Sequence, residues 1–228
     1  KPFQLHQPLG HIVNETDSQI AILTTNQFHI LEEIEDIDRA AISGGAGTGK
    51  TILAIEEAKR LASRKLKVLI TCFSGPLAIN IQEKIKDDPN ITAHSFHQLC
   101  KLYIDNAKIG IPENVSLKSL LREVYPDLFS AAIVKNNGPY YDAIIIDEGQ
   151  DFLINWWYAL ENLINKENSQ NKIRIFYDSN QKIFGEKINI PHNYQAIPIR
   201  LVRNLRNTKR IFKYANRYYE GYKIKPIG

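Results

Sequence analysis

Gly44-Gly45-Ala46-Gly47-Thr48-Gly49-Lys50-Thr51 is a glycine-rich run that closes on a lysine and a threonine. Glycines let a loop curl tightly enough to turn its backbone N–H groups inward around an anion, without Cβ clashes. A lysine directly after the last glycine can reach terminal phosphate oxygens, and the neighbouring hydroxyl can ligate a divalent cation. The spacing Gly44-x-x-x-x-Gly49-Lys50-Thr51 is the Walker A pattern. All eight residues are therefore the expected phosphate cradle.

A second constellation lies about a hundred residues on. Ala143-Ile144-Ile145-Ile146 is an apolar run that ends in Asp147-Glu148, followed by Gln150 and Asp151. Ligands of open α/β sheets bind beyond the carboxyl ends of the strands, so acids at such an end face the cradle. Asp147 suits a water-mediated hold on Mg²⁺ beside Thr51, and Glu148 suits the general base that polarises an attacking water. Together the two constellations imply nucleotide hydrolysis. A nucleotide kinase shares the cradle but has less use for a water-activating acid pair.

Short apolar runs alternate with helical patterns, which predicts an α/β fold with a mostly parallel sheet. Strands are expected near Ala40–Ser43, Lys67–Phe73, Ile91–Ala93, Ala143–Asp147, Ile173–Tyr177 and Ala196–Leu201. Helices are expected over Thr51–Ser63, Pro76–Ile85, Ser95–Tyr103, Trp156–Ile164 and Thr208–Tyr219. The first should bury Ile52, Ile55, Ala58, Leu61 and Ala62 on one face. Residues 104–140 read as a small insertion, either a subdomain or a long connector, within an ATPase domain spanning 26–228. Residues 1–25 form a lead segment with weak periodicity. Cys72 and Cys100 lack metal or disulfide spacing, and Trp156 and Trp157 sit on a helical pattern; all four are expected to pack in the core.

No apolar run approaches the length of a membrane-spanning helix, and Lys1–Gly10 lack the apolar stretch of a secretory signal, so a cytoplasmic protein with no membrane partner is expected. The net charge of +4 is unevenly spread. From Arg200 onward nine cations face the single acid Glu220, a net +8 that leaves −4 for the remainder. A polyanionic partner and a solvated basic helix both fit that asymmetry. The chain starts at Lys1 and contains no methionine, which suggests a piece of a longer protein.

The motif set resembles the superfamily 1 DNA helicases of the UvrD/Rep-like group, with a RecA-like P-loop NTPase fold, and is similar to the helicase part of NERD-domain bacterial proteins. The resemblance covers roughly 23–211. It implies that Gln27, in Leu23-Thr24-Thr25-Asn26-Gln27, reads the adenine edge of ATP. Thr71-Cys72-Phe73-Ser74 resembles a segment that touches single-stranded DNA. Phe73 is then either a base-stacking residue or a core aromatic. Thr92-Ala93-His94-Ser95-Phe96-His97 resembles a further DNA contact, in which Ser95 and His97 touch the backbone; equally, Ser95 is a helix cap and His97 a satisfied surface residue. Gln150 is implied to couple the nucleotide to neighbouring motifs. Gln181, in Tyr177-Asp178-Ser179-Asn180-Gln181, and Arg206, in Asn204-Leu205-Arg206-Asn207, are implied contacts to the γ-phosphate.

Two positions depart from that pattern. Leu205 stands where an adenine-stacking aromatic is usual, and Lys182-Ile183-Phe184-Gly185 replaces a tryptophan-containing DNA element, leaving only Phe184 to substitute. The family's second RecA-like domain would follow Gly228, so this chain alone is expected to turn over ATP weakly. The resemblance implies an Mg-ATP-driven motor on single-stranded DNA. A regulatory module whose ATP occupancy controls a partner such as a nuclease is the alternative.

Overall fold

The computed structural model describes residues 29–138, 140–178, 190–191, 194 and 196–201. Their centre is a six-stranded sheet built from β1 (Arg39–Gly44), β2 (Val68–Cys72), β3 (Ile91–Ser95), β4 (Ala143–Asp147), β5 (Lys172–Tyr177) and β6 (Ile197–Leu201). Every pairing is parallel, and the order across the sheet is β3-β2-β4-β5-β1-β6. All six strands lie where the apolar runs put them. β2 and β4 are buried along their whole length, as parallel strands covered on both faces must be.

Alternation along β4 separates the two faces. Ile144 and Ile146 join one apolar cluster, while Ala143 and Ile145 join the other. The second cluster is covered by α1 (Lys50–Ser63) and α2 (Gly75–Ile85), through Leu53, Ala54, Ala58, Leu61, Ala78 and Ile81. The first is covered by α3 (Phe96–Asn106), α4 (Tyr125–Asn136) and α5 (Ile154–Glu161). Within the 104–140 stretch, Leu117–Ser119 form a helical turn and Leu120–Val124 a π-helical one, leading into α4. Phe129, Ala132 and Ile133 of α4 are buried in the same cluster as Phe96, Leu99 and Tyr103 of α3. Cys72, Cys100 and Trp157 are fully buried and Trp156 nearly so, as expected. The helix expected at Thr208–Tyr219 lies outside the described residues.

The buried face of α1 carries Ile55, Ala58, Leu61 and Ala62 as expected, and departs from the sequence reading only at Ile52. Leu53, Ala54, Glu57, Ala58 and Leu61 are buried, whereas Ile52 is 46% exposed. An acid, Glu57, is buried on the same face. Arg174 on β5 is also fully buried, and its Nε donates to Glu57 Oε1 at 2.8 Å. Its remaining N–H groups donate to the carbonyls of Ile34, Ile37 and Asp38, so one guanidinium pins α1 and the entry to β1 against β5.

Candidate nucleotide site

The strand order places the ends of β4, β5 and β1 side by side, so Asp147, Asp178 and Gly44 emerge on one edge. Gly44 ends β1 where a side chain could not fit. A Cβ there would stand 2.5 Å from Thr48 Oγ1 and 3.0 Å from the Leu201 side chain. Thr48 is itself buried, and its hydroxyl donates to the Gly45 carbonyl at 2.9 Å, which closes the loop. Gly47 and Gly49 adopt φ of 81° and 82°, a left-handed conformation that other residues enter only with strain. The loop delivers the chain into α1, whose first turn carries Lys50 and Thr51. Ala46, Gly47, Gly49, Lys50, Thr51, Ile52 and Glu148 enclose a polar cavity of about 170 Å³.

Lys50 is 6% exposed. Its ammonium donates to the carbonyls of Gly44 at 3.0 Å and Gly45 at 3.2 Å, and lies 3.8 Å from Asp178 Oδ2. These contacts hold the cation inside the loop it is expected to serve. Asp178 therefore belongs to the site through Lys50, a role its sequence position does not disclose. Ile52, expected in the core, instead forms part of the cavity wall.

Asp147 is fully buried at the end of β4. One carboxylate oxygen accepts the Glu148 backbone N–H at 3.0 Å; the other, Oδ2, has no hydrogen-bond partner. Burial raises its pKa to about 6, opposed by the Thr51 hydroxyl and by Lys50, and reinforced by the Glu148 charge. A buried oxygen of that kind calls for a proton, a water or a cation. With the Thr51 hydroxyl beside it, the pair fits a hydrated divalent cation that takes its other ligands from water and phosphate. Among the described residues, no group of three or more His, Cys, Asp or Glu could hold a metal without such help. Cys72 lies opposite Asp147 in the sheet register, and burial together with the Asp147 charge pushes its thiol up to about 12.

Glu148 adopts φ 54°, ψ 46°, a left-handed conformation that strains a residue with a side chain. The strain turns Glu148 out of the strand and into the cavity wall. Gly149 then makes the tight return, since a Cβ there would meet Ile175 Cγ2 at 3.0 Å and Trp157 Cη2 at 3.3 Å. Gln150 clasps the acid from below. Its Nε2 donates to Glu148 Oε2 at 2.6 Å, and its Oε1 accepts the Asp178 backbone N–H at 2.9 Å.

The residues expected to touch DNA also lie on this edge, because Cys72 pairs in register with both Asp147 and Ser95. Phe73 is half-buried and stacks on Trp156, with ring centroids 5.9 Å apart and planes 20° apart. Ser95 takes the capping alternative. Its hydroxyl accepts from Gln98 N while Gln98 Oε1 accepts from Ser95 N, a reciprocal capping box that starts α3. His97 is half-buried, donates Nε2–H to the Leu121 carbonyl at 3.1 Å and packs edge-on against Trp156. Burial lowers its pKa. Gln27, Gln181, Arg206 and Phe184 lie outside the described residues.

A family model described as an AAA domain matches residues 27–186. No curated protein matches the sequence. Among solved structures the chain is similar to the Pif1 helicase from Candida albicans, at 19% identity over 77% of this chain and 38% of that one, with a TM-score of 0.46. It is similar to Arterivirus nonstructural protein 10, a helicase solved with DNA, at 12% identity over 81% and 42%, with a TM-score of 0.43. AMPPCP-bound DnaA from Aquifex aeolicus is similar at 15% identity over 94% and 53%, with a TM-score of 0.39. The chain thus spans between 38% and 53% of the length of these three proteins.

Proposed function

The chain belongs to the AAA domain family, and from that premise we propose that it is the ATP-hydrolysing motor domain of a superfamily 1 helicase acting on single-stranded DNA. One observation carries the reading. Gln150 holds the Glu148 carboxylate at the wall of the phosphate cavity and ties it to the Asp178 backbone, so that cradle, acid pair and β5 form one unit.

In this mechanism the N–H groups of the Gly44–Thr51 loop and the α1 N-terminus surround the β- and γ-phosphates of ATP. Lys50 exchanges the Gly44 and Gly45 carbonyls for phosphate oxygens, which removes the cation from Asp178. Thr51 and Asp147 would hold the hydrated Mg²⁺ that accompanies the nucleotide, and its charge offsets that developing on the transferred phosphoryl group. Glu148 accepts the proton of the attacking water. Gln150 keeps that carboxylate aimed while its amide oxygen stays on β5. Gln27, Gln181 and Arg206 retain the roles the family resemblance implies, and a second RecA-like domain would complete the cleft. Phe73 and the α3 start fixed by Ser95 and His97 form the DNA side. The location proposed is the cytoplasm.

The deciding experiment measures ATP hydrolysis by the full-length protein with and without single-stranded DNA. Stimulation by DNA is expected. Turnover that no DNA or RNA alters would replace the motor with the nucleotide-gated regulator of a partner such as a nuclease.

A further inference from the structure

A second cavity, of about 260 Å³, opens on the same carboxyl edge as the nucleotide site. Phe73, His97 and Trp156 give it aromatic walls, and Lys118 and Arg122 of the helical turns before α4 stand in its lining. Asp151 also lines it. That residue is only 9% exposed, and its Oδ1 is buried with no hydrogen-bond partner. A buried carboxylate oxygen without a donor costs free energy that a structure normally recovers with a partner. Burial, and then the charge of Glu148, raise this carboxyl to about 6, so near neutral pH it is chiefly an acceptor. Any occupant must therefore be flat, carry a hydrogen-bond donor on its edge, and bear negative charge close by for the two cations.

We propose that this cavity receives one base of a single strand and favours an amino-bearing base, cytosine over thymine, through Asp151. The inference rests on the nucleic-acid reading above and adds a selectivity to it. A carboxylate accepts from the cytosine N4 amino group, whereas thymine presents the O4 acceptor at the corresponding edge and would leave Asp151 facing another oxygen. The aromatic walls stack on any base and cannot discriminate, and with the two cations facing the phosphates the preference falls to Asp151, the one carboxylate in the lining. Lys118 and Arg122 would neutralise the adjoining phosphates.

The test is fluorescence anisotropy with the full chain and short labelled oligo(dC), oligo(dT) and an oligomer of pyrimidin-2-one, which is cytosine without its amino group. At mildly alkaline pH, where oligo(dC) stays unfolded, oligo(dC) is expected to bind about tenfold more tightly than either of the others. Asp151→Asn should bring the oligo(dC) to oligo(dT) ratio close to one. The pyrimidinone comparison needs no variant and stands even if that substitution fails to fold. Equal affinity for all three oligomers overturns the selectivity while leaving the nucleic-acid reading intact. Binding of none of them overturns both.

Discussion

Gln150 and Asp178 are joined across 28 residues by a single hydrogen bond, the Asp178 backbone N–H to the Gln150 amide oxygen at 2.9 Å. A backbone N–H can only donate, so the amide is oriented by it, and the NH₂ end necessarily faces Glu148. Gln150 is therefore a positioning residue for the proposed base. Gln150→Ala should lower kcat for ATP by about 10- to 100-fold, the worth of a hydrogen bond to a charged group, with a smaller effect on KM. Gln150→Glu should be worse, because it sets a second carboxylate against Glu148. Steady-state kinetics of the two variants decide it, and a Gln150→Glu enzyme with normal kcat would refute the role.

Lys50→Ala and Glu148→Gln should both abolish ATP turnover in the full-length protein, for different reasons. Loss of Lys50 removes a phosphate contact, so nucleotide affinity should fall as well. Glu148→Gln keeps the shape and loses the proton acceptor, so ATP should still bind. Equilibrium binding of a fluorescent ATP analogue, set beside turnover, separates the two; wild-type turnover by either variant would sink the assignment.

Gly44→Ala should fold less stably and bind nucleotide poorly. The added methyl would lie 2.5 Å from Thr48 Oγ1, the group that closes the loop onto Gly45. Overpacking of this kind costs about 1–3 kcal/mol. A melting temperature and ATP affinity equal to wild type would show that the loop can relax around the extra carbon.

Arg174→Met should destabilise the fold by about 3–5 kcal/mol, since it strands the buried Glu57 carboxylate. Glu57→Gln should cost less, because Arg174 keeps its carbonyl partners at Ile34, Ile37 and Asp38. Urea denaturation of the single and double variants would measure the coupling, and strictly additive losses would rule out a direct pair.

Stability without nucleotide or divalent cation should fall as pH rises between about 4 and 6. Asp147 has its folded pKa raised to about 6 from the ordinary 3.8 of an aspartate, so in that window the folded protein holds a proton that the unfolded chain releases. The native state gains from that proton at low pH and loses the gain as pH passes the folded value. Asp151 is shifted in the same direction. Asp147→Asn should flatten the profile and raise the melting temperature near neutrality. Thermal melts in chelator across this range check it; a wild-type profile in the variant would place the dependence elsewhere.

Gly44–Thr51, the acid pair and all six strands were legible in the amino-acid order because each depends on local chemistry. Backbone curvature requires glycine, buried parallel strands require unbroken apolar runs, and the proposed phosphate contacts are consecutive residues. What only the tertiary structure decided was which side chains meet across the sheet. Helical periodicity put Ile52 in the core, whereas it lines the cavity, and burial of Glu57 becomes tolerable only with the arrival of Arg174 from β5. The family resemblance points the 177–181 motif at the γ-phosphate but gives Asp178 no partner; the order β4-β5-β1 brings it 3.8 Å from Lys50. Nor could the sequence tell that Asp151 closes a cavity against Phe73, since the β2 and β4 ends become neighbours only once their strands pair. Local rules fix backbone shape and burial, whereas a charge finds its partner only after distant strands have been placed in register.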